Sequence, residues 1–197
     1  MPPVIIAFTG YKGSGKDAVA TRMHERLRQI DRRRYRGTQH NFATPVKQIC
    51  GYMFNLEPEE MRIPALKEKV LDRWPHKSPR FLMQEFATNF VRAGYPDIWV
   101  RIWERTFDHK KISDYVFVSD LRFPNEYEML RRRGAFIVKV ERPDVARTDQ
   151  HESEAYYDSF IPDVLLMNDS TIEELLVKVD SHLVPQVMEI INASSFT

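Results

Sequence analysis

The apolar and polar positions of this chain change period several times, and each change marks an element. Val4-Ile-Ile-Ala-Phe-Thr9 is a short unbroken apolar run, as expected of a strand buried on both faces of a parallel sheet. Beyond it, Ala18, Val19, Met23 and Leu27 recur at helical spacing with Arg22, Glu25, Arg26 and Arg28 between them, which predicts a helix over about 15–30. A weak second strand is expected near 38–43. From 45 to 111 no convincing strand pattern occurs. Apolar positions there (Val46, Ile49, Met53; Phe81, Leu82, Phe86, Phe90; Ile98, Ile102, Phe107) predict three or four helices, punctuated by Pro45, Pro58, Pro64, Pro75, Pro79 and Pro96. Strand patterns return at Tyr115–Ser119, Ala135–Val140 and Val164–Met167. A helix is predicted from about Asn125 to Arg133, closed by Gly134. Another is predicted over Thr171–Leu183, with Ser170 or Thr171 as N-cap and Glu173 and Glu174 in its first turn.

Strands that alternate with helices imply a mostly parallel sheet covered on both faces. The expected fold is therefore α/β with three layers, a central five-stranded sheet and a helical insertion. The core would comprise 1–44 and 112–197, and the insertion 45–111. Ligands of such sheets gather at the carboxyl ends of the strands. That edge should hold the Gly-rich segment after the first strand, Asp120, Arg142 and Asn168.

Composition narrows the function classes. In 197 residues, 29 Lys and Arg face 28 Asp and Glu, and the net charge of +1 gives no global argument for nucleic-acid or membrane binding. The single cysteine, Cys50, excludes an intrachain disulfide and a cysteine-based zinc site, and reads as a small core hydrophobe. No signal peptide is expected, and no apolar run is long enough to span a membrane. A cytoplasmic location fits. Nothing in the pattern suggests a coiled coil, which leaves a monomer or a homodimer.

The chemistry enters with Gly10-Tyr-Lys-Gly-Ser-Gly-Lys-Asp17, which matches the phosphate-cradling pattern G-x-x-x-x-G-K with Asp17 where Ser or Thr usually stands. Backbone N–H groups of such a loop surround a polyphosphate at the positive end of a helix dipole. This points to the P-loop NTPase version of the three-layer fold, with Lys16 on the β- and γ-phosphates. Asp17 could accept from metal-bound water or bind Mg²⁺ itself. Alternatively, it is a helix N-terminal carboxylate favoured by the dipole.

Asp120 ends an apolar strand as in a Walker B motif, where it could hold Mg²⁺ through water or accept a hydroxyl proton. Alternatively, Asp120 caps the next helix and Arg122 pairs with a carboxylate such as Glu126. Arg142 and Arg147 flank a polar segment after a strand. They suit an arginine-bearing lid over phosphates, at about 142–160, or a plain surface loop. His151, in Asp149-Gln-His-Glu-Ser-Glu154, belongs to a capping box or to a lid element near the substrate. Arg32–Arg36 and Arg131–Arg133 read as solvated cations at helix ends rather than nucleic-acid patches.

Taken together the motifs resemble those of bacteriophage deoxynucleoside monophosphate kinases. The resemblance runs in order through Gly10–Asp17, Phe42-Ala-Thr-Pro-Val-Lys47, Ser78-Pro-Arg-Phe-Leu-Met-Gln84 and Val118-Ser-Asp-Leu-Arg-Phe-Pro-Asn-Glu126. It continues through Val140-Glu-Arg-Pro143, Asp149–Glu154 and Asn168-Asp-Ser-Thr171. It implies transfer of the ATP γ-phosphoryl group to a deoxynucleoside 5′-monophosphate, with Mg²⁺, in the host cytoplasm if the chain is phage-encoded. It also implies small nucleotide partners, and neither nucleic acid nor membrane. Carried onto this sequence, Gly13, Ser14, Gly15, Lys16, Asp17 and Ala18 would bind ATP phosphates, and Asn168 the adenine edge. Lys47, Arg80, Gln84, Arg92, Trp99, Arg122 and His151 would serve the acceptor, and Arg142 and Arg147 the lid. One departure stands out. After Gln84 the chain reads Glu85-Phe-Ala-Thr88, where a Gly-Thr-Glu-like run is expected.

Rival readings are another small-molecule P-loop kinase, of dephospho-coenzyme A or phosphomevalonate type, and a non-catalytic nucleotide-binding protein. Arg122, Arg142 and Arg147 argue against the second, since simple binding needs fewer cations. A nucleic-acid-binding protein ranks behind both.

Overall fold

The computed structural model describes residues 3–30, 35–108, 114–143 and 156–194. The chain divides into two compact units, one of Met1–Asn41 with Lys110–Thr197, the other Phe42–His109.

The first unit is built on a five-stranded sheet: β1 (Val4–Thr9), β2 (Gly37–Gln39), β3 (Tyr115–Val118), β4 (Phe136–Glu141) and β5 (Val164–Met167). Its order is β2-β3-β1-β4-β5 and all the pairings are parallel. Ile5 to Thr9 are buried without a break because β1 is central and covered on both faces. On one face Ile6, Phe8, Val138 and Val140 pack with Val19, Met23 and Leu27 of α1 (Lys16–Ile30). The same cluster takes in Leu175 of α8 (Ile172–Lys178) and Val187 of α9 (Val184–Ser194). The helix α7 (Pro124–Arg132) follows β3 and begins with Pro124 at its first position.

Strand order reverses at β1. The neighbours β3 and β2 lie on one side of it and β4 and β5 on the other, which makes its carboxyl end the topological switch point where α/β sheets bind ligands. The register sets Thr9, the last residue of β1, level with Lys139 on β4. The Thr9 hydroxyl donates to the Leu121 carbonyl (3.1 Å), which ties the end of β1 to the segment after β3.

Three expectations need correction. The second strand stops at Gln39 instead of running to residue 43, because Phe42 already has helical angles and Pro45 sits in the first turn of α2 (Ala43–Phe54), where proline is tolerated. The last helix does not end at Leu183. It passes through a π-helical segment, Val179–Leu183, and continues as α9 across Pro185. In the π segment the Val184 N–H bonds the Val179 carbonyl five residues back, and this wider turn gives Pro185 room where an α-helical ladder would meet its ring. The segment also sets Asp180 against α1, where Arg22 donates two hydrogen bonds to it (3.0 and 2.6 Å) and Arg26 lies 3.2 Å away. Finally, Arg131 is not a solvated helix-end cation. It donates to both oxygens of Asp163 (2.9 and 2.7 Å) and to the Ile161 carbonyl, while Asp163 accepts from the Ile137 N–H. Arg36 likewise pairs with Asp114.

The second unit contains helices and, among the described residues, no strand. They are α2, α3 (Pro58–Arg62), α4 (Pro64–Glu68), α5 (Pro79–Gln84), a π-helical segment over Glu85–Arg92, and α6 (Ile98–Asp108). Its core joins Val46, Cys50, Leu56, Met61, Leu71, Leu82, Met83 and Trp99. Cys50 is fully buried there, and burial pushes its thiol up to about 11, consistent with a core hydrophobe and not a nucleophile. Proline at the first position starts α3, α4 and α5, and Ser78 caps α5 through the Phe81 N–H. The unit begins at Phe42 and ends at His109.

Candidate active site

The phosphate loop is held in shape by its glycines. Gly10, Gly13 and Gly15 have φ of 147°, 83° and 97°, which other residues adopt only with strain. Space is also tight. A Cβ on Gly10 would lie 2.4 Å from the Val140 carbonyl oxygen, and one on Gly15 would lie 2.9 Å from Asn168 Nδ2. Within the loop the Ser14 N–H bonds the Tyr11 carbonyl (3.1 Å), and the Val19 N–H begins the helical ladder on the Gly15 carbonyl. Lys16 opens α1 and is 7% exposed, while Asp17 is exposed in the first helical turn beside Ala18. A buried ammonium at the foot of a glycine loop, at the positive end of a helix, is an arrangement that attracts an anion.

Asn168 follows β5 and is 4% exposed. Its Nδ2 donates to the Ser14 carbonyl (2.9 Å), and its backbone N–H bonds the Glu141 carbonyl. These contacts make Asn168 a support of the phosphate loop. Its Oδ1 and the Ser14 hydroxyl are buried with no hydrogen-bond partner among the described residues.

Asp120 lies two positions beyond β3, half-buried, next to a clasp that the pattern of apolar residues could not reveal. Asn41 receives the Ser119 N–H on Oδ1 (2.9 Å) and donates to the Ser119 hydroxyl (3.1 Å). Arg122 is half-buried. Its backbone N–H and that of Phe123 both donate to the Glu126 carboxylate, at 3.0 and 3.1 Å. Glu126 thus caps the start of α7 and fixes the Asp120–Phe123 segment. Arg142 is exposed just past β4. Loop, Lys16, Asp17, Asp120, Arg122 and Arg142 therefore lie at or just beyond the carboxyl ends of β1, β3 and β4. Arg147 and His151 lie outside the described residues, as does most of the expected lid. Its last part, 156–160, contains a 3₁₀ turn, Tyr157–Ser159, and Tyr157 and Phe160 are buried.

The acceptor candidates fall in the second unit. Lys47 is half-buried on α2. Arg80 and Gln84 are one helical turn apart on α5. The Arg80 side chain is 17% exposed, and its Nε donates to Glu68 at 2.6 Å. Arg92 ends the π segment and donates to the Pro96 carbonyl (3.2 Å). Trp99 is enclosed in the core with its Nε1 on the Ala87 carbonyl, so its ring belongs to the packing of the unit. The departure from the expected motif after Gln84 coincides with the π segment, where the Ala93 N–H bonds the Thr88 carbonyl five residues back. Such widened turns recur at functional sites.

No group of three or more His, Cys, Asp or Glu able to hold a metal occurs among the described residues. Mg²⁺ needs no such cage, since it commonly uses one or two carboxylates together with substrate phosphates. Asp17 and Asp120 are the carboxylates at this edge whose chemistry fits that role. No described helix is long and apolar enough to cross a membrane.

Comparison with known proteins agrees with this geometry. The family model for deoxynucleotide monophosphate kinase matches residues 59–179. A protein of Acanthamoeba polyphaga mimivirus, named a putative deoxynucleotide monophosphate kinase, is 31% identical over 191 residues, covering 90% of this chain and 95% of its own. The deoxynucleotide monophosphate kinase of Enterobacteria phage T4 is 28% identical over 153 residues (73% of this chain, 61% of its own). That of Escherichia phage RB69 is 31% identical over 137 residues (68% and 54%). A solved APS kinase of Mycobacterium tuberculosis covers 92% of this chain at a TM-score of 0.45 and 15% identity, too loose a likeness to add to the fold. A glycine-built phosphate loop at a sheet switch point, in a chain matched over 90% of its length by a viral relative, leads to one conclusion: this chain belongs to the deoxynucleotide monophosphate kinase family.

Proposed function

We propose that the protein transfers the γ-phosphoryl group of ATP to a deoxynucleoside 5′-monophosphate, releasing ADP and the deoxynucleoside diphosphate. The observation that carries this reading is the phosphate loop, with buried Lys16 at the head of α1 and Asp120 beyond β3. The acceptor is already a phosphate oxyanion, so no strong general base is needed. The bond from the bridging oxygen to Pγ breaks as the acceptor oxygen bonds Pγ, and the task of the protein is to position two anions and neutralise their repulsion.

In this reading the loop N–H groups and Lys16 hold the β- and γ-phosphates, and Arg122 and Arg142 add positive charge at the same edge. Asp17 and Asp120 would hold Mg²⁺, which when bound supplies charge neutralisation on the phosphate oxygens. Lys47, Arg80, Gln84 and Arg92 would receive the acceptor, with Arg80 offering its planar fork to a phosphate. Asn168 supports the loop, and Trp99 supports the helices that carry the acceptor residues.

A coupled assay with Mg-ATP over all deoxyribonucleoside and ribonucleoside monophosphates tests the proposal. Turnover is expected with at least one deoxynucleoside monophosphate. ATP binding without transfer to any of them, or transfer only to phosphomevalonate, would overturn it.

A further inference from the structure

Tyr11, the loop residue directly after Gly10, makes contacts that none of the roles above uses. Its hydroxyl donates to Asp158 Oδ2 at 3.0 Å. Its ring meets the edge of Tyr157, centroids 5.0 Å apart and planes at 78°. Tyr157 is fully buried, and the turn that carries it is fastened from behind. Phe160 stacks on Tyr127 of α7 (5.0 Å, 6°), and the Tyr127 hydroxyl donates to the Ile161 carbonyl. Asp158 also faces Lys139, a buried residue of β4 level with Thr9. The ammonium of Lys139 lies 2.7 Å from Glu141 and 3.6 Å from Asp158 Oδ1.

We propose that Tyr11 and Asp158, backed by Lys139, form a latch that fixes the stance of the phosphate loop, which makes both of them positioning residues for the ATP polyphosphate. This rests on the reading of the loop as the ATP site. A loop with three residues of positive φ loses much conformational entropy when it orders on a ligand, so a tether that orders it beforehand raises affinity. The other fastenings of the loop lie at its two ends, where Gly10 is wedged against Val140 and the Ser14 carbonyl is held by Asn168. Lys12 and Gly13 at its tip are exposed. The Tyr11 side chain ties the leading side of that tip to a segment distant in sequence, and it does so through a turn that is itself packed on α7.

The Asp158 side chain is 54% exposed, so a purely structural role and a positioning role predict different outcomes. A solvent-exposed contact of this kind adds little to global stability. Tyr11→Phe removes the hydroxyl and keeps the ring. We expect it, and Asp158→Ala, each to weaken binding of ATP about 5-fold by calorimetry and to raise the KM for ATP to match. The KM for the monophosphate and the thermal midpoint should stay put. The double variant should be no weaker than either single one, because both remove the same contact. Asp158→Asn keeps an acceptor oxygen and should recover most of the affinity.

Unchanged ATP affinity in Tyr11→Phe would overturn the latch. So would additive losses in the double variant, or a fall in thermal midpoint with equal loss for both substrates. Wild-type protein and Lys16→Ala run alongside separate the two levels of the argument. Failure of the wild type to bind ATP overturns the loop reading and the latch together. Binding by the wild type with no change in the Tyr11 and Asp158 variants overturns the latch alone.

Discussion

The two units hold their functional groups by different means. In the sheet-bearing unit the phosphate loop is shaped by backbone: three glycines of positive φ, a wedge against Val140, and strand ends that fix where Asp120 and Asn168 stand. In Phe42–His109 the candidate polar groups sit on helices, and Arg80 is steered by the carboxylate of Glu68. A site made of backbone tolerates no added atom and fails for every ligand at once. A site made of side chains on helices changes by degrees, one substrate at a time.

The sharpest way to break the comparison is to remove the ammonium that the backbone site holds at the head of α1. Lys16→Ala should lower kcat by about 10³-fold or more, because the ammonium acts on charge that develops during transfer. The thermal midpoint should move by no more than about 3 °C in the same sample. Undiminished transfer would show that the loop is not the donor site. Next in size is a pair of glycine substitutions, one in each unit. Gly10→Ala puts a methyl group 2.4 Å from a backbone carbonyl at a φ of 147°, and should cost roughly 2–4 kcal/mol in denaturant unfolding. Gly94→Ala sits in a helical turn of the second unit with nothing within 4 Å, and should stabilise by about 0.5 kcal/mol. Equal effects at both positions would erase the contrast between the units.

Much of the sheet-bearing unit is legible in the sequence. Val4–Thr9 and Tyr115–Val118 carry their burial as plain apolar runs, and the glycine spacing of 10–15 encodes φ directly. The parts that escape are side-chain contacts between distant segments. Tyr11 with Asp158, Asn41 with Ser119 and Lys139 with Asp158 leave no periodic trace, since each pair depends on how distant segments are brought together, which a single sequence does not reveal. Asn168 shows the same limit. Its position after the last strand is readable, whereas its use as a prop for Ser14 depends on how close Gly15 lets it come. The helix through Pro185 escapes for a local reason. Proline reads as a stop, and only the π turn before it lets the chain continue.

In the second unit the expected effects are smaller and confined to one substrate. Arg80→Ala should raise the KM for the deoxynucleoside monophosphate by about 10–100-fold and leave that for ATP in place, as expected for loss of a charged fork that meets a phosphate. Arg80→Lys should recover little, since an ammonium cannot reproduce the planar pair of donors. An equal rise in both KM values would move Arg80 out of the acceptor site.

Glu68 gives the smallest effect and the finest distinction. It accepts from Arg80 Nε, and among the described residues no hydrogen bond engages the two terminal nitrogens of Arg80. The side chain of Arg80 is mostly buried, so the carboxylate aims the guanidinium without occupying the edge that would meet a phosphate. Were Glu68 instead a competitor for that edge, its removal would tighten acceptor binding. Glu68→Ala is therefore expected to raise the KM for the monophosphate by about 3–5-fold, the loss of one charge-assisted hydrogen bond on a half-exposed group. Glu68→Gln, which keeps an acceptor oxygen at the same reach, should sit between it and the wild type. A KM that falls in Glu68→Ala would reverse the assignment and make the carboxylate an internal stand-in for the acceptor phosphate.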